Sequence, residues 1–106
     1  MWLRAANSAT VAYPMLTLAN ANLLLARGPP QGRHHFVDPM IKGRFLGTMC
    51  ISEPQAGSSL AAIRTTAVPD HGRTYRLFGQ KMWISGGDQD ISGKIIHLVL
   101  TGKCPR

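Results

Sequence analysis

The fold of this chain is decided by residues 47–59, which read GTMCISEPQAGSS. The apolar start of this stretch predicts a strand, and the proline and glycine that follow Glu53 predict that the strand ends in a loop. The hydroxyls of Ser52, Ser58 and Ser59 and the backbone N–H groups of this loop could hold an anionic or carbonyl-bearing ligand. An ordinary hairpin loop has the same composition, so the stretch by itself leaves both interpretations open.

The residues that follow predict a mainly extended second half. Apolar and β-branched residues recur there between turn-forming Gly, Pro, Asp and Ser. The predicted strands are 45–51, 63–68, 74–78, 81–85 and 95–100. Short strands in this arrangement are typical of an antiparallel sheet or a partial barrel. The last strand is apolar almost throughout and would belong in the middle of a larger sheet, so the sheet is expected to be incomplete.

The residues that precede the decisive stretch predict helices. Pro14 suits a first helical turn and Gly28, followed by two prolines, is a stop signal, so a helix is expected over about 14–27. Its apolar residues cover a wide arc, which indicates burial on more than one side. A second helix is expected within 31–42, with Pro39 making it less regular. The predicted fold class is therefore α+β, an N-terminal helical segment followed by an antiparallel sheet or partial barrel.

Composition argues against several classes of protein. The chain has 106 residues, enough for one small domain, with a net charge of +7. Its basic residues are scattered singly, which argues against nucleic acid as a partner. Cys50 and Cys104 form no disulfide or zinc pattern and the histidines lack an acidic cluster, so no metal is expected. The apolar stretch 9–26 is interrupted by Pro14 and by polar side chains, so we expect no membrane span and a cytoplasmic protein.

The decisive stretch resembles a signature of the acyl-CoA dehydrogenases, in which Thr or Ser precedes Glu-Pro and Ala-Gly-Ser follows one residue later. A second signature of that family is similar to residues 75–85, which read YRLFGQKMWIS. The two signatures occur in the family's order and at its spacing. The resemblance covers nearly the entire chain and is closest to a subgroup of large bacterial enzymes that includes the 3-methylmercaptopropionyl-CoA dehydrogenases.

The resemblance implies a fragment of a larger flavoprotein of fatty acid metabolism. Residues 1–45 would end its helical N-terminal domain, and residues 46–106 would begin its middle β-domain. The implied enzyme is an oxidoreductase that uses FAD to dehydrogenate an acyl-CoA thioester between its α and β carbons. The implied partners are the acyl-CoA substrate, electron-transfer flavoprotein as electron acceptor, and further copies in a homo-oligomer.

The resemblance also implies limits on what this chain does alone. The family's catalytic base comes from a C-terminal helical domain, so no catalytic residue is expected here, and Glu53 is interpreted as a loop feature. The isolated fragment is expected to be inactive and to retain FAD weakly or not at all. Its incomplete sheet is expected to cause aggregation or to require a partner chain.

Four flavin contacts are implied in the first signature. Backbone groups near Met49 and Ile51 and the hydroxyl of Ser52 would bind the pyrimidine end of the flavin. Ser58 would reach the phosphate region and the bound thioester. Preset donors of this kind stabilise the negative charge that reduction places on the flavin.

Three more contacts are implied in the second signature. Trp83 would pack on the isoalloxazine ring, since a flat indole against a flat tricyclic ring buries a large apolar area. Ile84 would present backbone groups, and the hydroxyl of Ser85 would lie near the flavin N5.

Two functions of other classes remain open on the sequence. A small basic binding module would use the positive charge of the chain to hold anionic ligands or RNA, and its binding would depend steeply on salt. A non-functional gene fragment would account for the abrupt end of the chain just after its last predicted strand.

Overall fold

The computed structural model describes residues 6–102. These residues form two compact units. The first unit contains residues 6–49 and Ile84–Leu98, and the second contains Cys50–Trp83 and residues 99–102. Cys104, which the sequence excludes from a disulfide pattern, lies outside the described residues.

The first helix, α1, covers Ala12–Arg27 and lies in the first unit. Pro14 falls in its first turn, where the backbone N–H groups have no partner within the helix and the missing N–H of proline costs nothing. The helix ends at Gly28, whose N–H donates to the carbonyl of Leu24 at 2.9 Å. The predicted first helix is confirmed.

Only one face of α1 is buried. Thr17, Asn20 and Ala21 are buried, whereas Leu18 is 58% exposed. The predicted burial on more than one side is therefore wrong within the part of the chain that is described. Ala9–Arg27 is long and apolar enough, with a mean hydropathy of 1.3, to cross a membrane by composition alone, but a helix with buried polar side chains on its inner face also suits a protein core.

The second helical run, α2, covers residues 30–41. It consists of α-helical Pro30–Gly32, a π-helical turn at Arg33–Val37 and α-helical Asp38–Ile41. The π-helical turn comes directly before the segment that contains Pro39, whose missing N–H cannot continue a regular α-helix. The predicted second helix is confirmed, with this local widening. It contributes Val37 and Met40 to the core of the first unit, which also includes Ala21, Leu24, Phe36, Phe45 and Ile96.

The first strand, β1, covers Phe45–Cys50 and pairs with the last described strand, Lys94–Val99. This pair is parallel, so the predicted antiparallel arrangement is wrong for it. Two backbone hydrogen bonds flank the pair: the N–H of Gly93 donates to Arg44 O at 3.2 Å before the strands begin, and the N–H of Leu100 donates to Cys50 O at 3.0 Å at their end. Residue numbers therefore rise in the same direction along both strands. Parallel pairing requires a long connection between the strands, and the intervening segment provides it.

The two remaining strands form an antiparallel pair in the second unit. Strand β2 covers Thr66–Pro69, strand β3 covers Tyr75–Phe78, and the last strand is therefore β4. The register places Thr66 opposite Phe78 and Pro69 opposite Tyr75. The antiparallel prediction is confirmed for this pair. The described strands form two two-stranded sheets, which is an α+β arrangement without the predicted partial barrel.

Residues 81–85, which were predicted to form a strand, have no strand partner in the described structure. The backbone of Trp83 has a φ of 59°, a left-handed conformation that an extended strand cannot contain. The strand prediction is therefore wrong here. Apolar composition favoured a strand, but contacts with a distant loop decide the conformation of this segment.

Asn20 of α1 connects the helix to both strands of the parallel pair. Its side chain is completely buried, and its Nδ2 donates to the carbonyls of Thr48 at 3.0 Å and Ile96 at 2.9 Å. Gly47 permits this close packing, because a Cβ atom at that position would lie 2.7 Å from the Cβ of Asn20. A hydrogen bond from Gly47 N–H to Thr17 Oγ1, 2.9 Å long, completes the contact.

Candidate functional site

The two signature segments meet in the second unit. The N–H of Met82 donates to the carbonyl of Ser52 at 3.0 Å. The ammonium of Lys81 donates to the carbonyl of Ile51 at 3.0 Å and to the carboxylate of Glu53 at 2.8 Å. Three successive residues after β1 therefore bind the two residues that precede Trp83.

Glu53 and Lys81 form a buried ion pair at this junction. Their side chains are only 2% and 8% exposed. The same carboxylate accepts hydrogen bonds from the N–H of Arg64 at 2.8 Å, from the N–H and hydroxyl of Thr65 at 3.0 and 2.5 Å, and from Gln55 Nε2 at 2.6 Å. Buried charges are tolerated when they are paired and fully hydrogen-bonded, and both oxygens of this carboxylate meet that condition.

These contacts determine the protonation state of Glu53. The hydrogen bond from Lys81, followed by those from the Thr65 hydroxyl and the Arg64 N–H, holds the pKa of Glu53 far below its usual range. Burial acts in the opposite direction and raises the pKa, but it is outweighed. A carboxylate with so low a pKa, and with both oxygens already accepting hydrogen bonds, is a poor proton acceptor. The geometry is therefore consistent with a structural role for Glu53.

The stability of the second unit is expected to fall as the pH is lowered. In the unfolded chain the carboxyl of Glu53 has its ordinary pKa of about 4.3, above its pKa in the folded chain. The unfolded state therefore binds the proton first, so the contribution of the pair is complete above the unfolded pKa and is lost progressively as the pH falls below it. Urea unfolding at pH 7 and at pH 3, followed by amide exchange of Arg64 and Thr65, measures the loss. Glu53→Gln is the matched control and is expected to reduce the pH dependence; an unchanged dependence would contradict this assignment.

Trp83 follows the junction and projects into solvent. It is 83% exposed, and its φ of 59° lies in the left-handed region that bulky residues seldom adopt. Such a conformation costs about 1–3 kcal/mol and persists only where the surrounding structure imposes it. Strain of this kind is concentrated at functional sites, which makes the exposed indole a candidate ligand surface.

Four of the predicted flavin-contact residues lie in the second unit, and hydrogen bonds bring the segments of three of them together. Ile51 and Ser52 are bonded to the segment that carries Trp83, while Ser58 lies further along the same loop and is exposed. Within the described residues, the hydroxyls of Ser52 and Ser58 have no hydrogen-bond partner. Both hydroxyls are therefore available to a ligand.

The other three predicted contact residues lie in the first unit. Met49 is half-buried in β1, and Ile84 and Ser85 follow the segment that contains Trp83. Ser85 is exposed, and within the described residues its hydroxyl makes no hydrogen bond. The roles implied for these three residues stay predictions.

Sequence reasoning missed the buried ion pair of Glu53 with Lys81 and the hydrogen bonds that Thr65 donates to Glu53. A signal was present, because Glu53 follows soon after the apolar end of β1 and Lys81 directly precedes the apolar residues 82–84. Charges in such positions are seldom buried unless they are paired. The distance between them along the chain left the partner unidentified.

The first unit contains a separate cavity of about 530 Å³. Its walls are largely apolar and are provided by α1, α2 and the segments that follow them. The lining residues are Tyr13, Pro14, Thr17, Leu18, Ala21, Met40, Ile41, Gly43, Leu46 and Ile91. None of the predicted flavin contacts is among them.

Two sequence relatives are informative, although no family model matches the chain. The chain is 41% identical over 97 residues to 3-methylmercaptopropionyl-CoA dehydrogenase of Ruegeria pomeroyi, a match that covers 89% of this chain and 16% of that enzyme. It is 34% identical over 96 residues to a butyryl-CoA dehydrogenase of Syntrophomonas wolfei, covering 90% of this chain and 16% of the enzyme. The chain thus spans about one sixth of the length of either relative.

Solved structures agree with these relatives. An acyl-CoA dehydrogenase from Geobacillus kaustophilus matches with a TM-score of 0.53 and 34% identity over 57% of this chain and 16% of that chain. A glutaryl-coenzyme A dehydrogenase in complex with glutaryl-CoA matches with a TM-score of 0.57 and 33% identity over 69% of this chain and 18% of that chain. A structure from Mycobacterium abscessus, with a TM-score of 0.65 and 23% identity over 78% of this chain and 21% of that chain, supports the fold alone.

Proposed function

We propose that this chain, a homologue of the acyl-CoA dehydrogenases over a segment of their length, supplies part of the flavin-binding surface of such an enzyme. The reaction would be the FAD-dependent dehydrogenation of an acyl-CoA thioester between its α and β carbons. One observation carries the proposal: the two signature segments, distant in sequence, are bonded to each other by Lys81 and Met82 immediately before the exposed Trp83.

The described residues suit a flat, polar-edged cofactor. The exposed indole of Trp83 offers a planar apolar surface on which an isoalloxazine ring would pack. The available hydroxyl of Ser52 would donate to the polar edge of that ring, and the hydroxyl of Ser58 would reach its phosphates and the thioester. FAD, when bound, supplies the acceptor for the β-hydrogen of the substrate. The chain itself would orient the ring and stabilise the negative charge that develops on it.

The remaining contacts belong to the same proposal. Backbone groups at Met49, Ile51 and Ile84 would bind the ring edge, and the hydroxyl of Ser85 would lie near N5. The base that removes the α-proton would come from a part of the enzyme outside this segment. We further propose an acyl-CoA substrate, electron-transfer flavoprotein as acceptor and a homo-oligomeric assembly, as the resemblance to the family implies. A cytoplasmic location is proposed from the sequence pattern alone.

A segment exchange tests the proposed function. The 97 matched residues of the Ruegeria pomeroyi enzyme are replaced by the corresponding residues of this chain, and the purified chimera is examined for bound FAD and for bleaching of the flavin by an acyl-CoA substrate. We expect both. Trp83→Ala in the chimera is expected to weaken FAD binding by about tenfold, because the stacked indole surface is lost.

The matched control is Phe78→Ala. Phe78 is an exposed aromatic residue of β3, at 56% exposure, and it belongs to no predicted flavin contact. Its removal is expected to leave FAD binding unchanged. A chimera that folds but carries no FAD would rule the proposed function out, and equal effects of the two substitutions would rule out the role of Trp83.

A further inference from the structure

We propose that Glu53 and Lys81 are positioning residues, whose ion pair sets the backbone conformation of Trp83 and thereby the angle at which its indole faces the flavin. The part that concerns the flavin rests on the proposed function. The part that concerns the conformation of Trp83 does not, since it follows from contacts within the chain.

The conformation of Trp83 is imposed from outside the residue. A φ of 59° is unfavourable for a tryptophan, and the side chain is 83% exposed. Within the described residues Trp83 has no hydrogen bond, ring contact or cation contact of its own. Contacts of its neighbours must therefore hold the backbone in place.

Those contacts are made by the two preceding residues. The ammonium group of Lys81 donates hydrogen bonds to the carbonyl of Ile51 and to the carboxylate of Glu53. The N–H of Met82 donates to the carbonyl of Ser52. The side chain of Lys81 is nearly buried, so these bonds face little competition from water. The chain therefore enters Trp83 along a path fixed at two successive residues.

Glu53 is itself held by further hydrogen bonds. The N–H groups of Arg64 and Thr65 and the hydroxyl of Thr65 bind its two oxygens just before β2 begins. The carboxylate therefore cannot shift to follow a displaced Lys81. The Glu53–Lys81 pair therefore fixes the backbone at Trp83 relative to the segment that precedes β2.

A position fixed in this way is what a stacked cofactor requires. Functional groups must be held within about 0.5 Å and 10–20° of the productive geometry by neighbours that are themselves fixed. The side chains of Glu53 and Lys81 are only 2% and 8% exposed, so neither offers an appreciable surface to a stacked ring. Their contribution is to position Trp83, whose indole would touch the cofactor.

Backbone ¹⁵N relaxation of the chain without flavin tests the inference. In Lys81→Met, we expect the order parameter of the Trp83 amide to fall from about 0.85, the value of rigid backbone, to below about 0.6. The order parameter of Leu77 in β3 is expected to stay high. Lys81→Arg, which retains a cation for Glu53, is expected to restore most of the order at Trp83. Gln55→Ala removes a different partner of the same carboxylate and is expected to leave Trp83 rigid.

Two results would overturn the inference. An unchanged order parameter at Trp83 in Lys81→Met would show that the pair does not position this residue. An equal fall at Leu77 would show that the pair only stabilises the unit as a whole. If Lys81→Met does not fold, Glu53→Gln decides by the same criteria, because it removes the charge while an amide oxygen remains for Thr65.

The flavin part is measured separately in the chimera described above. Lys81→Met is expected to slow substrate-dependent flavin bleaching by about tenfold, and Lys81→Arg to recover it. If Lys81→Arg restores a rigid Trp83 but does not restore the rate of flavin bleaching, the proposed effect of the pair on the flavin is overturned. A chimera without FAD would refute the proposed function, whereas the relaxation experiment would still decide the role of the pair.

Discussion

Glu53→Ala is expected to destabilise the second unit far more than the removal of any exposed side chain near it. The substitution leaves the Lys81 ammonium, only 8% exposed, without a counter-charge. It also leaves the N–H groups of Arg64 and Thr65 without their acceptor. Breaking a buried pair by removing one partner is strongly destabilising, so we expect the midpoint of thermal unfolding to fall by more than about 10 °C.

Amide exchange and thermal unfolding measure this effect. Protection of the Thr65 and Met82 amides is expected to be lost in Glu53→Ala, because both report on the junction. The matched control is Gln55→Ala, which removes another partner of the same carboxylate from an exposed position and is expected to change little. Protection in Glu53→Ala that equals protection in Gln55→Ala would refute the importance of the pair.

Gly79→Ala is expected to reduce the free energy of unfolding by on the order of 3 kcal/mol. Gly79 has a φ of 154°, which L residues rarely adopt. An added Cβ would lie 2.8 Å from the Cα of Thr65 and closer still to its hydroxyl oxygen. The Cα belongs to the backbone and cannot move aside. Because the Thr65 hydroxyl donates to Glu53, the substitution would also disturb the buried pair.

The loss of stability in Gly79→Ala has two causes, the unfavourable backbone conformation and the close contact with Thr65, and Gly72→Ala separates them. Gly72 also has a positive φ, 61°, but a Cβ there would meet nothing within 4 Å. Its substitution is expected to cost about 1 kcal/mol from backbone conformation alone. Urea unfolding of the two variants gives the comparison. Equal losses would show that the close approach of Gly79 to Thr65 contributes nothing.

Elements that depend on neighbouring residues were predictable from the sequence. Pro14 and Gly28 mark the ends of the first helix through the backbone donors and acceptors that a helix leaves open. The antiparallel pair of β2 and β3 follows from a short connection, in which the N–H of Thr74 donates to the carbonyl of His71 at 3.1 Å. Signals of this kind act over a few residues, so composition and spacing reveal them.

Elements that depend on distant residues were not predictable in the same way. β1 and β4 pair in parallel although a long segment separates them. The nearly continuous apolar run of residues 95–100 is typical of a parallel strand, but it does not identify the partner strand. Residues 81–85 have strand-like composition, yet Lys81 and Met82 bind a loop and Trp83 takes a left-handed conformation. Local preference was overridden by tertiary contact.

The sequence by itself therefore determined the helices, the β2–β3 pair and the two signature segments that relate this chain to the acyl-CoA dehydrogenases. Only the tertiary structure decided that Glu53 and Lys81 form a buried pair and that this pair lies next to an exposed, strained Trp83. The physical reason is that burial and counter-charge depend on which groups are neighbours in space. Those groups lie far apart along the chain, where the rules of local structure do not reach.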